Sequence, residues 1–405
     1  MKSILYLTYD GLTDPLGQSQ ILPYITELSK RGFSFSIISF EKKEAAYSES
    51  EISEQIAAFN IDWYPLTYTK KPPVLSTFWD IIRLSQKVRL ILKEKDVALI
   101  HCRSYITSLI GLQMKKKNNI PFVFDMRGFW ADERVDGGIW KLKNPIFNLV
   151  YGYFKQKEKE FIERSAHIVS LTHSGRDEML RWGFPNVEQS KFTIIPCAAD
   201  FDVFHLQTAE NRIASRKGLN IKESTFILSY VGSTGTWYQL EDMLMFFRFL
   251  KSRISNAKFL FITKDNSNDI IQKAQKLELS ASDLIFRSAN RTQVNQFLDA
   301  SDLSIFFIKP LYSKKASSPT KQGEIMAKGI PYIANVGVGD VERIVKETNS
   351  GVLVDSSKKE TFDKAIDEFF KSSFDKIAIR ENAKSLFDLK NAVGTYQKIY
   401  IDILD

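Results

Sequence analysis

The stretch FILSYVGSTGTWYQLEDML, residues 226–244, holds the step on which the fold turns. Its first residues are a nearly continuous apolar run, the composition of a strand covered on both faces. Gly232 and Gly235 then bracket Ser233 and Thr234, and a helix is expected directly beyond them. A strand that passes through a glycine-bracketed turn into a helix is the repeating unit of a parallel α/β sheet. Such a turn gathers backbone amides and two hydroxyls on one spot, a nest that suits phosphate; a plain tight connection has the same composition.

Working outward, runs of the same kind recur with helical segments between them. SILYLTY, SFSIISF, VALIHC, PFVFDM, AHIVSL and KFTIIP lie in the first half, and KFLFIT, LIFRS, LSIFFI and GVLVD follow the opening stretch. The chain has 405 residues, beyond the roughly 250–300 at which single cores stop growing. Two Rossmann-like, doubly wound parallel sheets in one α/β chain account for the length. After IIPCAADFDVF the chain turns polar (HLQTAENRIASRKGLNIKEST), which sets the expected boundary near residue 205.

Hydrophobic residues make up 44% of the chain, ample for packed cores. No window reaches the ~18–20 apolar residues of a membrane span. The start MKSILYLTYDG reads as a buried first strand, and Cys102 and Cys197 form neither a disulfide framework nor a metal spacing. A reducing cytoplasm is therefore expected. The formal net charge of +8 suits an anionic ligand or an anionic membrane surface. Its longest basic run, Lys115–Lys117, ends a helix, and without a recognised fingerprint or aromatic platform it gives no nucleic-acid patch.

Open parallel sheets take ligands beyond the carboxyl ends of their strands. After the first strand, DGLTDPLGQSQILPYITELSKRG carries Gly11 and Gly17, then a predicted helix Gln18–Lys30 with the stripe Ile21, Leu22, Ile25 and Leu28. It reads either as a loop reaching a ligand or as an ordinary connection, and it lacks the GxGxxG fingerprint. After PFVF, Asp125, Arg127 and Trp130 crowd together in DMRGFWADER. Charges there are either paired or face a cavity. Asp125 is a candidate base or hydroxyl-orienting group and Arg127 a candidate anion holder; a structural Asp–Arg network stands as the other reading. Arg287, at a strand end, is a candidate for lining a base or phosphate site, while Asn290 is explained by helix capping.

The most chemistry per residue lies in SSPTKQGEIMAKGIPYIAN, 317–335. A helix over Lys321–Lys328, closed by Gly329, is entered through Ser317, Ser318, Pro319 and Thr320. Its first turn offers unpaired amides and a positive dipole end. Lys321 adds a point charge for a phosphate. Glu324 either accepts bonds from vicinal sugar hydroxyls or complements the dipole.

Taken together, IIPCAADFDVF, YVGSTGTWYQLEDML and SSPTKQGEIMAKGIPYIAN resemble the retaining, nucleotide-sugar-dependent glycosyltransferases of the GT-B fold, family 4, of the kind that build bacterial surface polysaccharides. The resemblance spans nearly the whole chain and is strongest over about 190–340. It implies an acceptor-binding domain over 1–205, a nucleotide-sugar-binding domain over 206–385, and a last helix, 386–405, that crosses back to the first domain. It also implies that Gly232, Ser233, Thr234, Gly235, Ser318, Pro319, Thr320 and Lys321 clasp the donor diphosphate, that Glu324 contacts the ribose, and that Gly17, Gln18, Arg103 and Trp130 face the acceptor. Asp125, Arg127 and Lys321 are the expected catalytic groups.

Two departures stand out. The first glutamate of the family's E-x7-E motif is replaced by Ala316, and Thr236 and Gln239 stand where many relatives carry a basic pair. Lys321 then supplies the missing positive charge, and Asp125–Arg127 takes the place of a first-domain histidine. The expected reaction is retaining sugar transfer from a nucleoside-diphosphate sugar to a saccharide or lipid-linked acceptor, with no cofactor and no metal. It would take place in the cytoplasm or peripherally at the inner face of the membrane. A sugar-nucleotide epimerase or hydrolase, and a non-catalytic sugar-nucleotide-binding subunit, are the alternatives.

Overall fold

The computed structural model describes residues 1–405, with the side chain of Arg291 excepted. The chain divides into two compact units, Met1–Pro196 with Leu389–Asp405, and Cys197–Asp388. The division falls ahead of 205 because the residues after Pro196 already belong to the second core: Ala199 donates its N–H to the Phe387 carbonyl, and Phe201 and Phe204 are buried there.

Unit 1 is built on seven parallel strands: β1 (Lys2–Thr8), β2 (Phe33–Glu41), β3 (Ile61–Thr67), β4 (Leu99–Arg103), β5 (Phe122–Met126), β6 (His167–Ser170) and β7 (Phe192–Ile194). Their order is β3-β2-β1-β4-β5-β6-β7. The central strands β4 and β5 are buried along their whole length, apolar except where His101, Arg103 and Asp125 pair with one another near the strand ends. β3 lies at the edge, alternates in burial and carries Pro65, which an edge strand tolerates. The helix expected over Gln18–Lys30 is two helices, Pro15–Gln20 and Leu22–Lys30, broken at Ile21. Pro23 has no N–H to give to Ser19, so the first helix cannot run through it. The chain returns to this unit as the helix Leu389–Leu404, which packs on the Leu22–Lys30 helix.

Unit 2 has six parallel strands: β8 (Ile227–Val231), β9 (Lys258–Ile262), β10 (Leu284–Arg287), β11 (Leu303–Phe306), β12 (Tyr332–Asn335) and β13 (Gly351–Val354), ordered β10-β9-β8-β11-β12-β13. Phenylalanines fill its core: Phe259 and Phe261 on β9 stand 4.1 Å apart between ring centroids, and Phe246 meets Phe307 and Phe362 edge to face. The helix Thr320–Ala327 starts as expected and stops before Gly329, whose φ is +68°. Asn290 caps the following helix in a reciprocal bond with Gln293. Among the described residues, no helix is long and apolar enough to cross a membrane.

Candidate active site

In unit 2 the strand order reverses between β8 and β11, and a ligand crevice opens at such a switch point beyond the carboxyl ends of the strands. The Gly232–Thr236 turn leaves β8 there, and the segment after β11 leads into the Thr320–Ala327 helix. These two segments, read separately in the sequence, meet at Lys321. Gly232 has φ +109°, and a Cβ on it would lie 3.2 Å from the Lys321 Nζ, so glycine leaves room for the amine.

Lys321 is only 7% exposed. Its Nζ donates to the Tyr230 hydroxyl at 3.0 Å and lies 4.2 and 3.7 Å from the ring centroids of Tyr230 and Tyr238. The Tyr230 hydroxyl in turn donates to the Ser233 carbonyl, tying the amine to the turn. Burial pulls the ammonium well below the ordinary lysine range, against the opposing pull of the Glu324 carboxylate. The helix itself begins at Pro319 with no side-chain cap. Its Thr320 and Lys321 amides therefore stand at the positive end of the dipole.

The remaining expected donor contacts divide. Ser318 Oγ accepts the Cys197 N–H at 3.2 Å, so this hydroxyl is engaged in holding the start of the unit. Pro319, Thr320 and Glu324 are half-buried around the helix start, and Ser233 and Gly235 are exposed on the turn. Thr234 gives its N–H, and its hydroxyl at 2.8 Å, to Asp265 Oδ2 just past β9. The nest reading is thus corrected at this residue: its donors converge on an anion, but the anion is the protein's own carboxylate. Arg287 sits at the end of edge strand β10, two strands from β8, and its Nη1 donates to the Phe286 carbonyl at 2.7 Å. It is not brought to Lys321.

Sequence reading missed four residues of this cluster. Tyr230 and Tyr238 flank the turn and hold Lys321; Asp265 occupies Thr234; and Lys314, 5% exposed, lays its Nζ 3.7 Å from the Trp237 ring centroid. Two basic residues, Lys314 and Lys315, directly before the helix were the available signal for the last of these.

Unit 1 has its own switch point, between β1 and β4. Asp125 on β5 is 1% exposed. Its Oδ2 accepts from Tyr396 Oη at 3.2 Å and faces His101 Nε2 at 3.2 Å and Arg103 Nη1 at 3.8 Å, while Oδ1 lies 3.6 Å from Arg127 Nη1. Tyr400 Oη bonds His101 Nδ1 at 2.7 Å, and Arg103 Nε reaches Asp10 Oδ2 at 3.4 Å. Burial alone would raise the Asp125 pKa, but Arg127, His101 and Arg103 outweigh it and hold the carboxyl well below the usual range. The carboxylate therefore stands inside a network with His101, Arg103, Arg127 and Tyr396, the paired arrangement that the sequence offered beside the base or hydroxyl-orienting role. His101, overlooked at the end of VALIHC, is part of the same network.

The residues expected to face the acceptor also have partners within the unit. Gly17 packs so closely on the turn before it that an added Cβ would lie 2.2 Å from the Gly11 carbonyl oxygen, and the Gln18 side-chain amide donates to the Leu12 carbonyl at 3.0 Å. Trp130 is packed in an aromatic cluster with Phe154 at 4.9 Å and Trp140 at 5.3 Å. Arg103 is buried between Asp10 and Asp125. Among the described residues, no three His, Cys, Asp or Glu side chains group so as to hold a metal ion.

Two Rossmann-type units, one with a buried lysine at the mouth of its switch point, define a GT-B glycosyltransferase framework. Residues 20–203 match the family model described as Glycosyltransferase Family 4, and residues 211–386 match the model described as Glycosyl transferases group 1. Between them they take in most of the chain, which belongs to this glycosyltransferase family. No curated protein matches it in sequence. Among solved structures it is similar to sucrose-phosphate synthase from Thermosynechococcus elongatus, at 14% identity and a TM-score of 0.77, covering 100% of this chain and 99% of that one. It is also similar to HepE of Anabaena in complex with UDP and glucose, at 12% identity and a TM-score of 0.71 over 99% of each chain. WaaG, a glycosyltransferase involved in lipopolysaccharide biosynthesis, is similar at 14% identity with a TM-score of 0.67, covering 98% of this chain and 99% of that one. At these identities the likeness establishes the fold.

Proposed function

We propose that this glycosyltransferase moves a sugar from a nucleoside-diphosphate sugar to a hydroxyl of a saccharide or lipid-linked saccharide, with retention of configuration and without a metal, in surface polysaccharide or glycolipid assembly. The observation that carries the reading is the Lys321 amine beside Gly232 at the β8/β11 switch point, next to an uncapped helix start. The bond from the anomeric carbon to the diphosphate breaks, and negative charge develops on the departing phosphate. Lys321, held against the Tyr230 and Tyr238 rings, and the Thr320 and Lys321 amides meet that charge. The acceptor oxygen bonds to the anomeric carbon on the face that the diphosphate leaves, and its proton passes to a phosphate oxygen. Because the phosphate oxygen takes the proton, a dedicated protein base is not required, and Asp125 is assigned to orienting the acceptor or assisting as an auxiliary base. Glu324 is assigned to the ribose hydroxyls, and the place of the missing glutamate at Ala316 falls to backbone amides near Ser317.

HepE, whose solved complexes hold UDP and glucose or UDP-glucose, supports starting the donor search with uridine nucleotides. Titration calorimetry with a panel of nucleoside diphosphates, repeated on Lys321→Ala, tests the proposal. Loss of one preorganised donor to a developing anion lowers kcat by roughly a hundred- to a thousandfold. That loss is the expected result, together with weakened diphosphate binding and no response to chelator. Unchanged affinity and rate in the variant would overturn it. Epimer or free sugar formed from donor alone, with no transfer to any acceptor, would point to the epimerase or hydrolase instead.

A further inference from the structure

Three helices of unit 1, Leu75–Glu94, Ser104–Asn118 and Pro145–Arg164, enclose a groove of about 610 Å³ lined by Phe78, Leu109, Val150 and Phe154, with Lys116, Lys117 and Lys157 at its rim. Apolar residues also line its mouth and continue beyond it. Ile146, Leu149 and Tyr153 form one stripe along the third helix, with Leu149 76% exposed, and Leu75, Phe78 and Trp79 crown the first turns of the first helix, with Trp79 56% exposed. Large exposed side chains scattered singly need no explanation, but two such stripes flanking one apolar groove form a patch that does. The sequence places these residues there without a core to bury them in, and lines their border with ammonium groups. Glu160 pairs with Lys116 and Lys157, whereas Lys117 is exposed, so the rim keeps a positive excess.

We propose that this face docks on an anionic lipid bilayer, with Trp79, Phe78 and Leu149 entering the acyl region and the lysines meeting phosphate headgroups. The charge pattern selects this occupant. Long lysine stems cover apolar surface while their ammonium groups stay at the polar boundary, the arrangement of an interfacial helix face. A second copy of the chain is disfavoured, because a two-fold contact would set the two lysine rims against each other. The inference extends the reading of a lipid-linked acceptor, but it concerns binding alone.

The test is co-sedimentation of the full chain with phosphatidylcholine vesicles made with and without phosphatidylglycerol, in the absence of donor. The wild type should bind the anionic vesicles, weakly at high salt, and bind plain phosphatidylcholine far less. Lys116→Glu with Lys117→Glu, and separately Trp79→Ser with Leu149→Ser, should each weaken partitioning by about tenfold or more. All four positions are exposed or at the groove rim, and unchanged circular dichroism and nucleoside-diphosphate affinity would show that each variant is folded. No binding by the wild type, equal binding to both vesicle types, or variants that bind like wild type would overturn the proposal. So would a concentration-dependent dimer in sedimentation velocity that the Trp79/Leu149 variant abolishes, which would make a second copy the occupant. Because no turnover is read, failure here leaves sugar transfer standing, and failure of transfer leaves this result standing.

Discussion

At the scale of the residue, Lys321 combines two conditions that rarely coexist: it is buried, and it stands at the positive end of a helix. Both disfavour the ammonium form. Burial is the leading cause of its lowered pKa, and Glu324 only partly restores it. An arriving diphosphate reverses the balance, because an adjacent anion favours the charged amine. The sign follows directly. In the free protein the amine loses its proton at a pH below the ordinary lysine value; in the complex it keeps it to a higher pH. Binding therefore takes up a proton between those two values, and affinity falls as pH rises through that window, by up to about tenfold per pH unit. Calorimetry in buffers of different ionisation enthalpy reads that uptake, and Lys321→Met, which has no proton to gain, should remove it. Equal heats across buffers for the wild type would show that the amine does not change charge. Asp265 is the second residue with a readable effect. It holds the Thr234 donors and places a like charge beside the expected phosphate. Asp265→Ala should tighten nucleoside-diphosphate binding by roughly threefold or more, the scale of one exposed charge contact. Weaker binding would instead make Asp265 a ligand contact.

At the scale of the element, the helix Leu389–Leu404 is distant in sequence from everything it supports. Its Tyr396 and Tyr400 are buried and hold Asp125 and His101, and Tyr6 stacks on the same histidine at 4.4 Å. Removing a large buried aromatic costs about 3–5 kcal/mol, and two of them together approach the roughly 5–15 kcal/mol that a domain has in hand. Ending the chain at Asp388 should therefore unfold unit 1, seen as a lost urea transition by circular dichroism. Tyr400→Phe, which removes one hydrogen bond and keeps the ring, should cost only about 1 kcal/mol. A truncated chain with the full wild-type transition would refute the account. The sequence announced this helix through its likeness to a family, not through its contacts, since no local pattern links Tyr396 to Asp125. Other elements failed to show for local reasons. β3 alternates and carries a proline, so it lacks the continuous apolar run by which its neighbours are recognised, and β12 offers only four residues between a helix stop and a glycine-rich turn.

At the scale of the whole molecule, each unit repeats one scheme, with the first six strands in the order 3-2-1-4-5-6 counted within the unit. That scheme was readable because central parallel strands are apolar throughout, and alternation with helices leaves few other arrangements. The candidate site was readable only where function and backbone coincide. Gly232 and the start of the Thr320–Ala327 helix were visible because turns and helix ends have their own residue chemistry. The partners of Lys321 were not, since Tyr230 and Tyr238 look like any aromatic in a core segment. Asp125 showed the opposite limit: the sequence brought charges to a strand end, and only the contacts with His101 and Tyr396 revealed the carboxylate to be enclosed.

Because the chain leaves unit 1 at Pro196 and returns to it only at Leu389, biosynthesis meets an unusual order of events. The ribosome emits the whole of the second unit before the segment that closes the first. At about 5–20 residues per second, the nascent amino-terminal half waits roughly ten to forty seconds with the Asp125 and His101 side chains still lacking their tyrosine partners. Unit 2, continuous in the chain, meets no such delay and can be complete while its predecessor is still open to chaperones.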